Sequence, residues 1–178
     1  LNNYESICQY KEEFNHFESK EIYNIAMTDV AHLVLLPQIS TYLKDHAPLV
    51  QLNVHSIKAE SLAMLKSGTL DLIVGYYDQL DDQFYQQKLF EQYFVVIAAK
   101  DHPRLSGDKL SLEQYLSEKH IDVEVGPGHF SFETHINQLG YKRNKAMTLP
   151  SYLGVGLVIQ QSDAIATVPY YLSEVLLA

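Results

Sequence analysis

The chain has 178 residues, 47% apolar and 20% charged, and its 13 Lys and Arg stand against 22 Asp and Glu for a net charge of −9. That size and apolarity suffice to bury a core, as one domain or two small lobes, while the scattered cations exclude the clustered Lys and Arg that nucleic-acid binding needs. The one cysteine, Cys8, excludes an internal disulfide and Cys-based zinc spacing and fits a reducing, cytoplasmic setting.

Residues 1–19 space Leu1, Tyr4, Ile7, Cys8, Phe14 and Phe17 at roughly helical intervals. They read equally as a solvated helix resting on the domain or as the tail of a linker or dimerisation helix. Ile22 to Met27 follows as a short strand. Thr28-Asp29 offers a helix start, and Val30 to Asp45 repeats apolar residues at helical spacing, with Pro37 predicting a kink or restart. Leu49 to His55 is a strand, Lys58 to Ser67 a helix closed by Gly68 in the left-handed conformation, and Leu70 to Val74 a strand. This β-α-β-α-β order, with short connections, predicts parallel pairing.

Two further strands are expected, at Phe84 to Phe90 and Tyr93 to Ala99, the second apolar enough to be buried on both faces. Asp101-His102-Pro103 and the polar stretch after it then mark a boundary, dividing residues 20–100 from 101–178 at a hinge near residue 100. In the second part the spacing predicts a helix over Leu112 to Leu116 and a strand over Ile121 to Val125. A Gly126-Pro127-Gly128 turn leads into a helix from Phe130 to Leu139. A strand over Lys145 to Leu149, a helix over Ser151 to Gln161, a strand over Ala164 to Val168 and a helical end over Tyr171 to Leu177 complete it. The class is α/β, in two lobes.

Ligands of open parallel α/β sheets bind outside the carboxyl ends of the strands. Those ends carry Met27-Thr28-Asp29, His55-Ser56, Gly75-Tyr76-Tyr77, Gly126 to His129 and Pro150-Ser151-Tyr152. Hydroxyls and unpaired helix-start amides suit a carboxylate, and tyrosine rings supply flat walls with a hydrogen-bonding tip. A small organic acid, with an aromatic one in view, fits this set. Thr28, Asp29 and Ser151 read equally as helix caps, and capping is the stronger reading for Asp29. His129 reads also as a solvated side chain.

Enzyme signatures are missing. The sequence has no Gly-x-Ser-x-Gly elbow, no His-Glu-x-x-His, no phosphate-binding loop and no calcium loop. Its eight histidines are scattered without metal-ligand spacing. No catalytic residue, metal site or cofactor is expected. No apolar run approaches the roughly 20 residues of a membrane span, and no secretory leader opens the sequence.

Tyr23-Asn24-Ile25-Ala26-Met27-Thr28-Asp29, Leu36-Pro37, His46-Ala47-Pro48, Gly68 to Gly75, Lys100-Asp101-His102-Pro103 and Ala164 to Pro169 stand in an order and spacing that resembles the effector-binding domain of LysR-type transcriptional regulators. The first and last of these segments most resemble the subgroup that senses aromatic acids, with the nodulation regulators. The resemblance runs from about Tyr23 to Val175. It implies a two-lobed fold like a type 2 periplasmic binding protein, with the effector in the cleft between lobes. By position the effector-binding residues would be Thr28, Asp29 and Tyr76 from the first lobe, and Gly128, His129, Ser151 and Tyr152 from the second. At Ser151 those relatives look to carry a histidine.

The resemblance further implies self-association as a dimer within a tetramer, and DNA contact only through a winged helix-turn-helix that these residues do not include. The family's return strand and last helix are expected beyond Ala178, leaving the first lobe incomplete here. A transport-type solute-binding protein of the same architecture, a small α/β enzyme, and a regulator with a vestigial pocket are the alternatives.

Overall fold

The computed structural model describes residues 15–77, 83–107, 109–124 and 126–177, and the expectation for residues 1–14 lies outside them. Two sheets organise the chain. In the first, β1 (Ile22–Met27) is flanked by β2 (Gln51–Ser56) and β3 (Leu72–Val74), all parallel, in the order β2-β1-β3. The first connection is α1 (Asp29–His46), which runs as one helix through Pro37, and the second is α2 (Ser61–Lys66).

Helix α2 ends as its sequence dictates. Gly68 takes φ +75°, the Thr69 amide donates to the Met64 carbonyl at 2.9 Å, and the Gly68 amide donates to Leu65 at 3.2 Å. This is the Schellman closure, which the missing Cβ of Gly68 permits. The chain then reverses onto β1. The Asp71 amide donates to the Asn24 carbonyl at 2.9 Å, and the Asp71 Oδ2 accepts from the Asn24 amide at 2.7 Å. The Gly-Thr-Leu-Asp segment thus fixes the register of β3 before its three paired residues begin.

The second sheet has the order β4-β7-β5-β6, from β4 (Phe94–Ala98), β5 (Lys119–Val123), β6 (Asn144–Leu149) and β7 (Ala164–Pro169). Strands β5, β6 and β7 are parallel and β4 runs antiparallel to β7. Its helices are α3 (Leu112–Ser117), α4 (Gly126–Gln138), α5 (Val155–Gln160), entered by a 3₁₀ turn over Tyr152–Gly154, and α6 (Tyr170–Leu177).

Three expectations are corrected. Residues 84–90 form no strand: Tyr85 is 94% exposed and Leu89 59%, and no described strand pairs with them. Strand β4 is not buried on both faces. It is the sheet's edge strand, with Phe94 and Val96 outward while Val95 and Ile97 pack on the core. Strand β4 pairs within the second sheet, so the chain changes sheets between Val74 and Phe94. Gly126-Pro127-Gly128, expected as a turn, is the first turn of α4. Proline is tolerated there because a first-turn residue has no helical amide bond to lose.

The Asp101-His102-Pro103 exit holds the end of β4 within the second lobe. The buried His102 sets its Nε2 3.1 Å from the Asp163 carbonyl, and the Arg104 guanidinium grips the buried Glu118 carboxylate through Nε and Nη2, at 2.6–3.1 Å. That guanidinium holds the Glu118 carboxyl below the usual carboxylate range.

Helix α1 serves both lobes. Ala31, Leu35, Leu36 and Ile39 pack with Ile25 and Met27 in the first core. Val30 and Leu33 pack against the second, built from Ile121, Val123, Val155, Ile159, Val168 and Leu172. Among the described residues no helix is long and apolar enough to cross a membrane.

Candidate functional site

The parallel strands of the first sheet end at Met27, Ser56 and Val74, and those of the second at Val123, Leu149 and Pro169. The residues after these ends are the ones singled out by sequence. Thr28 is the N-cap of α1. Its Oγ1 accepts from the Ala31 amide at 3.2 Å, and its own amide donates to the Val74 carbonyl at 3.2 Å, tying the start of α1 to the end of β3. Gly75 leaves room at this junction for the Ile57 and Thr28 side chains. A Cβ there would stand 2.6 Å from Ile57 Cδ1 and 3.2 Å from Thr28 Cγ2. Tyr76 follows, with 53% of its surface exposed.

Asp29 does something that capping does not describe. One carboxylate oxygen, Oδ1, accepts from the Val30 amide at 2.9 Å. The other, Oδ2, accepts from the backbone amide of Tyr152 in the second lobe at 2.8 Å. The structure therefore brings Thr28-Asp29 and Ser151-Tyr152 together across the lobes.

Ser151 is half-buried, and its hydroxyl makes no cap bond to the turn that follows. The Tyr152 ring lies in the second-lobe core at 4% exposure, so this residue meets the first lobe through its amide. Burial, reinforced by the Asp29 charge, pushes the Tyr152 phenol above its ordinary range. Gly128 and His129 lie in the first turn of α4. Two residues ahead of this helix, the Glu124 amide donates to the Leu149 carbonyl at 3.1 Å.

A second polar assembly, which sequence reading does not find, lies beneath α4. Asp122, the next-to-last residue of β5, receives Arg143 Nη2 on Oδ1 at 2.7 Å and Lys145 Nζ on Oδ2 at 2.6 Å. Arg143 also pairs with Glu133 of α4, and Lys145 reaches the other Glu133 oxygen at 3.1 Å. The Arg143 and Asp122 side chains are each 2% exposed. A bulge between His120 and Ile121, opposite Lys145 and Met147, adjusts β6 so that Lys145 lies opposite His120. The available signal was a charged residue inside the apolar run Ile121-Asp122-Val123.

His120 sits beside this cluster, fully buried. Its Nε2 donates to the Tyr115 carbonyl at 2.8 Å, and its Nδ1 has no partner among the described residues. Burial, and secondarily the Arg143 charge, hold the imidazole below its ordinary value, while the Tyr115 carbonyl acts the other way. In the unfolded chain the ring protonates near pH 6.5, whereas in the folded protein it stays neutral to lower pH. Between those points the unfolded state binds the extra proton, so stability falls as pH is lowered below about 6.5 and levels off beneath the folded value. Replacing His120→Asn is expected to flatten this part of the profile, measured by urea unfolding at steps from pH 7 to 5. An unchanged slope would contradict it.

No group of three or more His, Cys, Asp or Glu able to hold a metal ion occurs among the described residues.

Comparison with known proteins bears on these observations. The family model described as LysR substrate binding domain matches residues 18–178. The transcriptional activator NahR of Pseudomonas putida is 31% identical over 168 residues, covering 93% of this chain and 56% of that protein. Among solved structures, the probable transcriptional regulator PA0477 from Pseudomonas aeruginosa superposes with a TM-score of 0.79 at 26% identity, covering 99% of this chain and 60% of that one. The effector binding domain of QuiR in complex with shikimate shares the fold, with a TM-score of 0.65 at 14% identity over 85% of this chain and 74% of its own. The chain thus spans little more than half the length of the curated regulator it resembles.

Proposed function

We propose that this chain, which belongs to the LysR substrate-binding domain family, senses a small organic carboxylate, aromatic acids included, held between its two lobes. Its relatives are transcriptional regulators, not enzymes, and the effector-binding domain of such a regulator is the role the family supplies. The observation that carries the finer reading is the Asp29–Tyr152 contact. It joins Thr28-Asp29 of one lobe to Ser151-Tyr152 of the other, and in this reading Tyr76, Gly128 and His129, which also follow strand ends, complete the effector site. Hydroxyls, backbone amides and a tyrosine at these strand ends are the donor set a carboxylate needs. QuiR, on the same fold, holds shikimate, itself a carboxylate.

In this reading the whole protein contacts DNA through a separate winged helix-turn-helix and works in the cytoplasm as a dimer or tetramer. Effector-driven lobe closure shifts that assembly by differential affinity for its states. The lobes are then two binding halves, the first ending before β4.

A thermal-shift screen of this chain, and of one extended beyond Ala178, tests the reading with benzoate, substituted benzoates and aliphatic acids. At a hundredfold excess over Kd a bound acid stabilises by about 2.7 kcal/mol, which in a domain of this size raises Tm by roughly 5–11 °C. No shift with any acid in either chain would contradict the proposal.

A further inference from the structure

Asp29 is the one candidate effector residue whose carboxylate is already engaged on both oxygens: Oδ1 holds the Val30 amide at 2.9 Å and Oδ2 the Tyr152 amide at 2.8 Å. The second bond crosses from the first residue of α1 to the start of the 3₁₀ turn that enters α5, joining positions 123 residues apart in the chain. It lies at the end of a helix that is itself shared. Val30 and Leu33 seat α1 on the second core, and Ala31, Leu36 and Ile39 seat it on the first. A change in the angle between lobes must therefore slide Val30 and Leu33 over the second core, or lever α1 away from it. Either movement breaks the Asp29–Tyr152 bond, because a single N–H···O contact tolerates only a few tenths of an ångström.

We infer that Asp29 is not an effector ligand but a positioning residue: its carboxylate is a latch on the Tyr152 amide that holds the two lobes at one closure angle and thereby sets effector affinity. The second clause rests on the carboxylate-sensing reading, and the first does not. The charge matters to the latch, since an ionised acceptor makes the stronger hydrogen bond. An effector arriving with its own carboxylate finds the Tyr152 amide taken. It must settle on other donors, such as the Ser151 hydroxyl, in a cleft whose width Asp29 has already set. Unlatched, the lobes sample wider angles, and binding must first select the closed state, which weakens apparent affinity by the fraction of the population that remains closed.

The test measures amide hydrogen exchange at Tyr152 by NMR in the ligand-free protein, then benzoate affinity by calorimetry, for the wild type, Asp29→Asn and Asp29→Ala. Losing a charge-assisted hydrogen bond is expected to quicken Tyr152 exchange by about tenfold or more in Asp29→Ala, with Asp29→Asn between the two. Benzoate affinity should weaken by about tenfold in Asp29→Ala, and less in Asp29→Asn, as the closed fraction falls. Asp29→Asn keeps the shape of the side chain and its acceptor oxygen, so it carries the test if the alanine variant does not fold. Unchanged Tyr152 exchange in the variants would overturn the latch. Quickened exchange with unchanged benzoate affinity would overturn its coupling to the effector. Failure of the wild type to bind benzoate or any other carboxylate would contradict the sensing role instead, with the exchange data still deciding the latch.

Discussion

Replacing Arg143→Met is expected to lower the unfolding free energy by about 3–5 kcal/mol, the usual consequence of stripping one partner from a buried ion pair. In a domain of this size that corresponds to roughly 6–20 °C in Tm. The reason is local. Arg143 lies between two carboxylates, Asp122 on β5 and Glu133 on α4, and both Arg143 and Asp122 are shut off from solvent. Without the guanidinium, Lys145 alone faces two negative charges from a side chain that is 35% exposed. One carboxylate must then stay buried without its main partner or take up a proton. The cation also lies 5.2 Å from the centre of the Phe132 ring, a contact that methionine replaces only in part.

Because replacing a whole buried ion cluster by apolar groups is often neutral or stabilising, adding Asp122→Leu and Glu133→Leu to Arg143→Met should recover much of the loss. Denaturant unfolding of the single and triple variants checks both statements. A loss under about 1 kcal/mol in the single variant would mean that the cluster is hydrated, contrary to its burial.

The second large effect is expected at Leu172. This residue of α6 is fully buried against Ile121, Val155, Ile159 and Val168, and Leu172→Ala should remove about 2–5 kcal/mol through lost burial and the cavity left behind. The shared helix makes the manner of unfolding informative as well. Val30 and Leu33 draw α1 into the core that contains Leu172, while Ala31 and Ile39 belong to the other core. Damage in the second lobe should therefore reach the first, and both should unfold in one transition with coincident probes. Hydrogen exchange that left β1–β3 at wild-type protection in Leu172→Ala would show that α1 does not couple the two cores.

The α/β rhythm of this chain is legible because its strongest signals are local. Gly68 and Gly140 end helices in the left-handed conformation that their sequence context calls for, and the apolar spacing of Val30 to Asp45 becomes the helix it predicts. What sequence misjudges depends on partners distant in the chain. Strand β4 reads as central because its residues are uniformly apolar, and only its antiparallel seat at the sheet edge exposes Phe94 and Val96. Residues 84–90 carry aromatic residues suited to a strand yet find no strand to pair with.

The site shows the same division. Thr28 is a cap, as its position before a helical run implies. That Asp29 reaches Tyr152 could not be read from either segment alone, because the contact exists only once two separate sheets share α1. The Asp122 cluster was hidden for a related reason: its four members come from β5, α4, β6 and the residue just before β6, and only folding brings their opposite charges together.

Titrating benzoate into ¹⁵N-labelled protein and following amide shifts tests whether a carboxylate binds between the lobes at the strand ends. Saturable changes are expected at residues of both lobes together, at Thr28, Gly75 and Tyr76 on one side and at Ser151, Tyr152 and the first turn of α4 on the other. Saturable changes confined to one lobe, or located away from these strand ends, would contradict binding there.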